Sequence, residues 1–183
     1  LKYFRKKAEL EQLVLQSPVN FFYFVKGVIS GFNKQGNLVL ICDSYGNYVN
    51  IVYDNHGRIS SVYDNNNKTM QFEYVNNLLQ SITDGLGRTV KYQYDGDNLF
   101  RITYPDGETT TLEYILNNLT SIKNSDGKQF KMSYVDNKLT ELKKKRYLPD
   151  EKEISKFILT YSDTTTEIRD DEGNIEYYEF DEK

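Results

Sequence analysis

Two side-chain types that could carry out chemistry occur once each in this chain of 183 residues, as His56 and Cys42. His56 follows Tyr53-Asp54 in a polar stretch, and no serine or cysteine recurs at a spacing that would make it the base for a nucleophile. A single thiol forms no internal disulfide, and no further Cys or His ligands stand at metal-binding spacing. Phosphate-binding glycine patterns are also missing. We therefore expect no catalytic residue, no metal and no cofactor, and the chain is predicted not to be an enzyme.

Carboxylates are the one potentially reactive group that recurs, and they recur in polar stretches rich in Asn and Gly. The recurring residues are Asp54, Asp64, Asp84, Asp95, Asp106 and Asp126. Calcium binding would need several oxygens to converge at one point. A lone Asp in such a stretch commonly accepts hydrogen bonds from its own backbone. The pattern therefore favours Asx-type turns over calcium sites.

These polar stretches belong to a repeat, in which a turn residue stands seven positions before an aromatic anchor. The turn residues are Gly46, Asn67, Gly87, Gly107, Gly127 and Gly173, and their anchors are Tyr53, Tyr74, Tyr94, Tyr114, Tyr134 and Phe180. Phe32 is an earlier anchor, and the gaps from it to Tyr134 are 21, 21, 20, 20 and 20 residues. Gly adopts positive φ freely and Asn tolerates it well. Because Asn67 replaces Gly in one copy, the pattern predicts a positive φ at each turn residue.

Between turn and anchor the residues alternate, as Val90, Tyr92 and Tyr94 do with Thr89 and Lys91. This period of two is typical of a half-buried strand. A polar turn follows each anchor, and then a second short strand whose two apolar residues, such as Leu79 and Ile82, are three positions apart. Strict pleating would put those two side chains on opposite faces. Either a bulge rotates the strand between them, or both faces are covered there.

Strands joined by tight turns pair antiparallel. We therefore predict an all-β fold of antiparallel β-hairpin repeats in a long curled or spiralling sheet. Its predicted parts are an N-terminal cap or lead-in strands over 1–31, with a short helix or irregular cap near the start. The repeat sheet of about five repeats follows over 32–142, then a charged loop over 143–153 and a degenerate final repeat over 154–183. The run KKKR at 143–146 is assigned to the solvated loop.

Three motifs in the repeat resemble the YD-repeat, or Rhs (rearrangement hot spot), family. They are Tyr92-Gln93-Tyr94-Asp95, the stretch YDNHGRI at 53–59, and the inter-repeat turn ITYPDG at 102–107. The resemblance implies a spiralling β-strip, of the kind that builds hollow shells around cargo domains in insecticidal toxin complexes, bacterial polymorphic toxins and teneurins. Six repeats are too few to close such a shell alone. No match to the family's autoproteolysis block is present, and no toxin domain follows.

The resemblance implies a non-catalytic structural scaffold, a segment of a secreted or cell-surface bacterial protein that forms part of a β-shell or wall. The implied partners are other segments of a larger parent protein or a cargo domain, and open sheet edges could allow self-association. The alternative is a carbohydrate- or protein-binding module that uses exposed aromatic residues on the sheet. The formal net charge of −4, with both signs interspersed, predicts no nucleic-acid partner. No apolar run is long enough to predict a membrane span.

Overall fold

The computed structural model describes residues 21–25, 28–146 and 152–180, and these residues form 16 β-strands and no helix. The chain divides into two compact units, Leu1–Thr89 and Val90–Lys183. None of the described residues forms a helix with the length and apolar character that crossing a bilayer requires. The prediction of an all-β fold is confirmed.

The strands of each unit follow one another in chain order, and the paired strands are antiparallel. The first unit contains β1 (Phe21–Val25), β2 (Val28–Phe32), β3 (Leu38–Asp43), β4 (Tyr48–Tyr53), β5 (Ile59–Asp64), β6 (Thr69–Val75) and β7 (Leu78–Asp84). The second unit contains β8 (Thr89–Asp95), β9 (Asn98–Thr103), β10 (Thr109–Ile115), β11 (Asn118–Asn124), β12 (Lys128–Val135), β13 (Lys138–Arg146), β14 (Lys152–Tyr161), β15 (Thr165–Asp170) and β16 (Ile175–Glu179). The first residue of β8, Thr89, is the last residue of the first unit. This is the predicted series of antiparallel hairpins, whereas the curl of the sheet stays a prediction.

A β-bulge at each anchor from Phe32 to Tyr134 accounts for the apolar spacing of three. In the hairpin of β6 and β7, Tyr74 pairs with Leu79. The preceding residue Glu73 pairs with Ser81, so Gln80 has no partner in the ladder. The extra residue returns both apolar side chains of the second strand to the face of the anchor. The same skip of one residue occurs opposite Phe32, Tyr53, Tyr94, Tyr114 and Tyr134.

Two kinds of turn join the strands. After Tyr74 the turn has only two residues, Asn76 and Asn77, with φ of 50° and 66°. Positive φ at both positions defines a type I′ turn, which matches the twist of paired strands. The other kind is a four-residue turn whose last residue donates its N–H to the carbonyl oxygen of the first, and it reads Asp-x-x-Gly at 43–46, 54–57, 84–87 and 170–173. Turns of this kind contain the predicted turn residues, and at 33–36 and 54–57 they also close the bulged hairpins of β2 with β3 and of β4 with β5. The polar stretches of the sequence therefore reverse the chain at both ends of every strand pair.

The predicted loop over 143–153 is wrong at both of its ends. Strand β13 continues to Arg146, and β14 begins at Lys152, so only residues 147–151 separate the two strands, and they lie outside the described residues. The run at 143–146 is paired backbone, with Lys143 opposite Lys131 on one side and opposite Lys156 on the other. Backbone hydrogen bonding holds the run in the sheet although its side chains are charged. The predicted helix or cap near the N-terminus also lies outside the described residues, and the division into domains stays a prediction.

Full burial is rare in the described part of the chain. The buried hydrophobic residues are Val39, Leu40 and Cys42, all on β3. Burial raises the pKa of the Cys42 thiol, and Asp43 adds to the rise. The anchor tyrosines, by contrast, are half-buried. The strands are therefore stabilised mainly by contacts with their neighbours, as in other repeat proteins, and not by a large shared core.

Candidate functional site

The Asp-x-x-Gly turn is held by one carboxylate, as the turn at Asp54 illustrates. Oδ1 of Asp54 accepts hydrogen bonds from the backbone N–H groups of His56 at 2.8 Å and Arg58 at 3.0 Å. Oδ2 accepts from Nε of Arg58 at 2.8 Å and from Nη2 at 2.6 Å. Both oxygens therefore serve the turn's own backbone and side chain. His56 is exposed at this turn.

The same arrangement recurs along both units. A side-chain oxygen accepts from the backbone N–H groups two and four residues later at Asn33, Asp43, Asp64, Asp84 and Asp170. In three of these turns the fifth residue also donates from its side chain to the second carboxylate oxygen, namely Asn47, Arg88 and Asn174. Of the six carboxylates predicted to form turns, Asp54, Asp64 and Asp84 build Asx turns of this kind. Asp106 and Asp126 each accept one backbone N–H, from Glu108 and Lys128, and for Asp95 the Asx turn stays a prediction. In the described ranges, no cluster of three or more His, Cys, Asp or Glu side chains could hold a metal ion.

These hydrogen bonds favour the ionised carboxylates. The backbone N–H of Arg58, followed by its guanidinium, lowers the pKa of Asp54 from 3.8 to about 2. The pKa of Asp84 is lowered first by the side chain of Arg88, and that of Asp43 first by the side chain of Asn47. At neutral pH these carboxylates are therefore ionised and accept the hydrogen bonds that hold the turns. This electrostatic pattern is that of structural turns and not of a general acid or base, which needs a pKa near the working pH.

Each predicted turn residue is the fourth residue of a four-residue turn, and the first residues of these turns are Asp43, Asp64, Asp84, Tyr104, Asn124 and Asp170. The φ values are 88° at Gly46, 57° at Asn67, 80° at Gly87, 86° at Gly107, 83° at Gly127 and 88° at Gly173. The N–H of Gly107 donates to the carbonyl oxygen of Tyr104 at 3.0 Å, three residues back. A Cβ built on Gly46, Gly87 or Gly107 would meet no atom within 4 Å. The requirement at these positions is therefore the backbone angle and not small size.

Two of the predicted anchor tyrosines, Tyr53 and Tyr74, lie across the strand that precedes their own. The hydroxyl of Tyr53 donates to the carbonyl oxygen of Leu38 at 2.9 Å, and that of Tyr74 donates to Ile59 at 2.9 Å. The guanidinium of Arg58, next to Ile59, lies 4.4 Å from the centre of the Tyr74 ring, a cation–π distance. Each of these two anchors thus ties its hairpin to the start of the preceding strand.

Tyr161 is an anchor that the sequence analysis did not assign. Its hydroxyl donates to the carbonyl oxygen of Leu139 at 2.7 Å, and Nζ of Lys138 lies 5.4 Å from its ring centre. These contacts reproduce those of Tyr74 with Ile59 and Arg58. Tyr161 follows Tyr134 by 27 residues instead of 20, because extra residues stand between β13 and β14. The alternation of Leu159 and Tyr161 before a Ser-Asp turn was the available signal.

Two further contacts recur and were not predicted. At three bulges the extra residue is Ser or Thr. Its hydroxyl donates to the carbonyl oxygen of the residue just before the anchor, as Ser60 does to Val52, Thr120 to Glu113 and Thr140 to Ser133.

Next to the turns of the bulged hairpins, hydrogen bonds join side chains that are 19 residues apart. They are Arg58 to Asn77 at 3.0 Å, Asn98 to Asn117 at 3.2 Å and Asn118 to Asn137 at 3.0 Å. Each of these links joins the turn of one bulged hairpin to the turn of the next, and in the first link the earlier turn is the Asp54 turn, which Arg58 closes. The last predicted anchor differs from the others, because Phe180 lies just beyond β16 and is 60% exposed.

Phased Asx turns, bulged hairpins and cross-strand tyrosines define an all-β repeat protein of the YD type. The sequence matches the description "Teneurin YD-shell" over residues 12–183, and the chain belongs to that family.

Solved structures of low sequence identity share the fold. The crystal structure of TcdB2-TccC3-Cdc42 aligns with a TM-score of 0.54 and 15% identity, over 83% of this chain and 10% of that one. The Tc holotoxin pore of Photorhabdus luminescens aligns with a TM-score of 0.54 and 15% identity, over 83% of this chain and 9% of that one. This chain therefore spans about a tenth of the length of those toxin chains. No curated protein sequence matches it.

Proposed function

We propose that this chain is a non-catalytic structural segment of a larger secreted or cell-surface protein, in which its repeats form part of the wall of a YD shell. Membership of the YD-shell family and the likeness to toxin chains about ten times its length support this proposal. The other segments of the parent protein are its expected partners, and a cargo domain enclosed by the wall is a further one.

The observation that carries the proposal is that the polar side chains of the turns and anchors hydrogen-bond to other parts of the sheet. The carboxylates of the Asx turns, the hydroxyls of Tyr53 and Tyr74, and the amides at the tight turns bond to backbone or to neighbouring hairpins. Such contacts build a continuous wall. A catalytic centre would instead need groups that converge on a site for a reacting atom.

Electron cryo-microscopy of the full-length parent protein tests this proposal. We expect residues 28–146 to lie in a sheet that continues, strand by strand, into the flanking sequence of the parent. The proposal would be wrong if these residues formed a separate lobe attached by linkers. It would also be wrong if a substrate were found bound among their side chains.

Exposed aromatic residues at β16 favour a second candidate, a module that binds carbohydrate or protein. Tyr177 is 64% exposed, Tyr178 49% and Phe180 60%. Aromatic faces of this kind can stack on sugars or dock a partner. Titration of the chain against a glycan array, followed by tyrosine fluorescence, would support this candidate if binding were saturable and were lost in Tyr177→Ala. Equal binding by Tyr177→Ala and the unsubstituted chain would reject it.

A further inference from the structure

Strand β16 has one paired edge and exposed side chains on both of its faces. It pairs with β15 through residues 175–179, and no described strand pairs with its other edge. Tyr178 and Phe180 alternate on one face of the strand and Tyr177 lies on the opposite face, and all three are exposed. An unpaired edge presents backbone N–H and C=O groups to a further strand. We name this unpaired side of β16, with Tyr178, Glu179 and Phe180, the β16 edge.

A strand in the same place of an earlier repeat has this edge covered. Phe180 is the predicted anchor that corresponds to Tyr114 of β10, and Tyr114 is half-buried and pairs with Leu119 across the bulge to β11. The residue two before the anchor is also half-buried in β10, and it pairs with Ile122. The corresponding residue of β16 is Tyr178, which is exposed. The exposure of the β16 edge is therefore that of a first hairpin strand without its second strand.

The residue just before the anchor indicates which second strand fits. Glu179 of β16 corresponds to Glu113 of β10 and to Glu73 of β6. In both of those hairpins the residue opposite the glutamate is a serine, Ser121 in β11 and Ser81 in β7. Oγ of Ser81 donates to Oε2 of Glu73 at 2.7 Å. Because Glu179 makes no hydrogen bond or ion pair to a described residue, a serine opposite it would supply the donor that Glu73 has.

Charge argues against a second copy of β16 at this edge. Residues 163–180 contain seven acidic side chains and one basic side chain, Arg169. Two copies of β16 would place four glutamates, Glu176 and Glu179 of each copy, along one shared edge. Like charges on adjacent strands destabilise their pairing. A strand without acidic residues therefore fits the β16 edge better than a second β16 does.

We propose that the β16 edge binds an extended strand of the parent protein, antiparallel to β16 and with the pattern Leu-x-Ser-Ile. The Leu covers Phe180, the Ile covers Tyr178 and the Ser donates to the carboxylate of Glu179. Residues 119–122 of β11 have this pattern and form such a strand beside β10. A sugar stacked on these rings would leave the backbone of the edge unpaired, so a strand satisfies more of its groups. This inference rests on the proposed shell wall and specifies the segment that continues it.

A second copy of residues 118–124, fused to Lys183 of the whole chain through a flexible Gly-Ser linker, tests the proposal. The linker gives the tethered strand a high effective concentration at the β16 edge. We expect hydrogen exchange of the β16 amides, followed by mass spectrometry, to slow about tenfold relative to the unfused chain. The matched control carries Leu119→Ser/Ile122→Ser in the tethered copy alone. It should give no protection, because it brings no apolar side chains to Phe180 and Tyr178.

The charge of Glu179 supplies a second test in the same fusion. Ser121→Glu in the tethered copy places a carboxylate opposite Glu179, so the protection of β16 should be lost. Glu179→Lys, introduced into that fusion, should restore the protection, because opposite charges then face each other. A strand held only by its apolar side chains would not respond to these changes.

The proposal is overturned if no fusion protects β16, if the tethered copy with Leu119→Ser/Ile122→Ser or with Ser121→Glu protects it equally, or if Glu179→Lys fails to restore protection. Protection that rises with concentration in the unfused chain would assign the edge to a second copy and would also overturn it. None of these results decides whether the chain belongs to a shell wall, which electron cryo-microscopy of the parent protein tests separately.

Discussion

The hydroxyl of Tyr74 donates a hydrogen bond of 2.9 Å to the carbonyl oxygen of Ile59, fifteen residues earlier in the chain. Tyr74 also pairs with Leu79 at a bulge in its own hairpin. One side chain therefore fixes the register within its hairpin and links that hairpin to the strand before it. Tyr53 has the same double role, since it pairs with Ile59 at a bulge and its hydroxyl donates to the carbonyl oxygen of Leu38, which explains an aromatic residue with a polar end at these two positions.

Removal of this hydroxyl should cost a measurable amount of stability. In Tyr74→Phe the ring remains and the carbonyl oxygen of Ile59 loses its donor, so we expect a loss of about 1 kcal/mol in the free energy of unfolding. Tyr63→Phe is the control, since the Tyr63 hydroxyl makes no hydrogen bond to the described part of the chain and the side chain is 36% exposed. Urea unfolding followed by circular dichroism measures both. Equal stabilities of the two variants would show that the hydrogen bond does not hold the hairpins together.

The turn glycines should tolerate side chains according to backbone angle alone. At Gly107, where φ is 86°, valine should destabilise the chain by about 2 kcal/mol, because a β-branched residue is strained at positive φ. Gly107→Asn should cost much less, since Asn67 occupies the same place in another copy at a φ of 57°. Glu108→Val is the control, because it introduces the same β-branched side chain at the next position, where φ is not positive. Thermal melts that ranked Glu108→Val and Gly107→Val together would contradict the turn assignment.

Leu116 is a natural residue in an unfavourable conformation. It is 91% exposed and has a φ of 50° in a tight turn, where another copy has Asn76 at the same angle. Leu116→Asn should therefore raise the free energy of unfolding by about 1 kcal/mol. Leu86→Asn is the matched control, since Leu86 is 81% exposed and its φ is not positive. A gain of stability in both variants, or in neither, would show that the backbone angle is not the cause.

Acid should weaken the chain through its Asx turns. The pKa of Asp54 falls from 3.8 to about 2 on folding, so ionised Asp54 stabilises the fold above pH 3.8, and this contribution is lost as the pH falls toward 2. Asp54→Asn keeps an acceptor for the backbone N–H groups but loses the charged pair with Arg58. The gap in melting temperature between Asp54→Asn and the unsubstituted chain should be full at about pH 6 and should shrink toward about pH 2. A gap that stayed constant over this range would exclude the ionised carboxylate as its source.

The period of twenty residues was sufficient to predict antiparallel hairpins, because turn formers and alternating strands recur together. The spacing of Leu79 and Ile82 left a bulge and two covered faces equally open, and only the strand register, which skips Gln80, decides for the bulge. The strand at 143–146 was predicted as a loop, because lysines on both faces of β13 conceal the period of two. Tyr161 was not recognised as an anchor because residues inserted before β14 break the phase. Contacts made between hairpins, such as that of Tyr74 with Ile59, depend on how neighbouring strands meet, and the period of a single chain does not specify them.

Deletion of one complete repeat tests most directly the claim that each repeat is a self-contained register unit. Removal of residues 107–126 joins Asp106 to Gly127 and restores an Asp-Gly turn, so we expect the shortened chain to keep its β-sheet circular dichroism and one cooperative unfolding transition. Removal of residues 107–116 deletes β10 alone and joins strands that run in incompatible directions, so this variant should lose cooperative unfolding. Similar behaviour of the two deletions, whether both fold or both fail, would contradict the repeat as the unit of this structure.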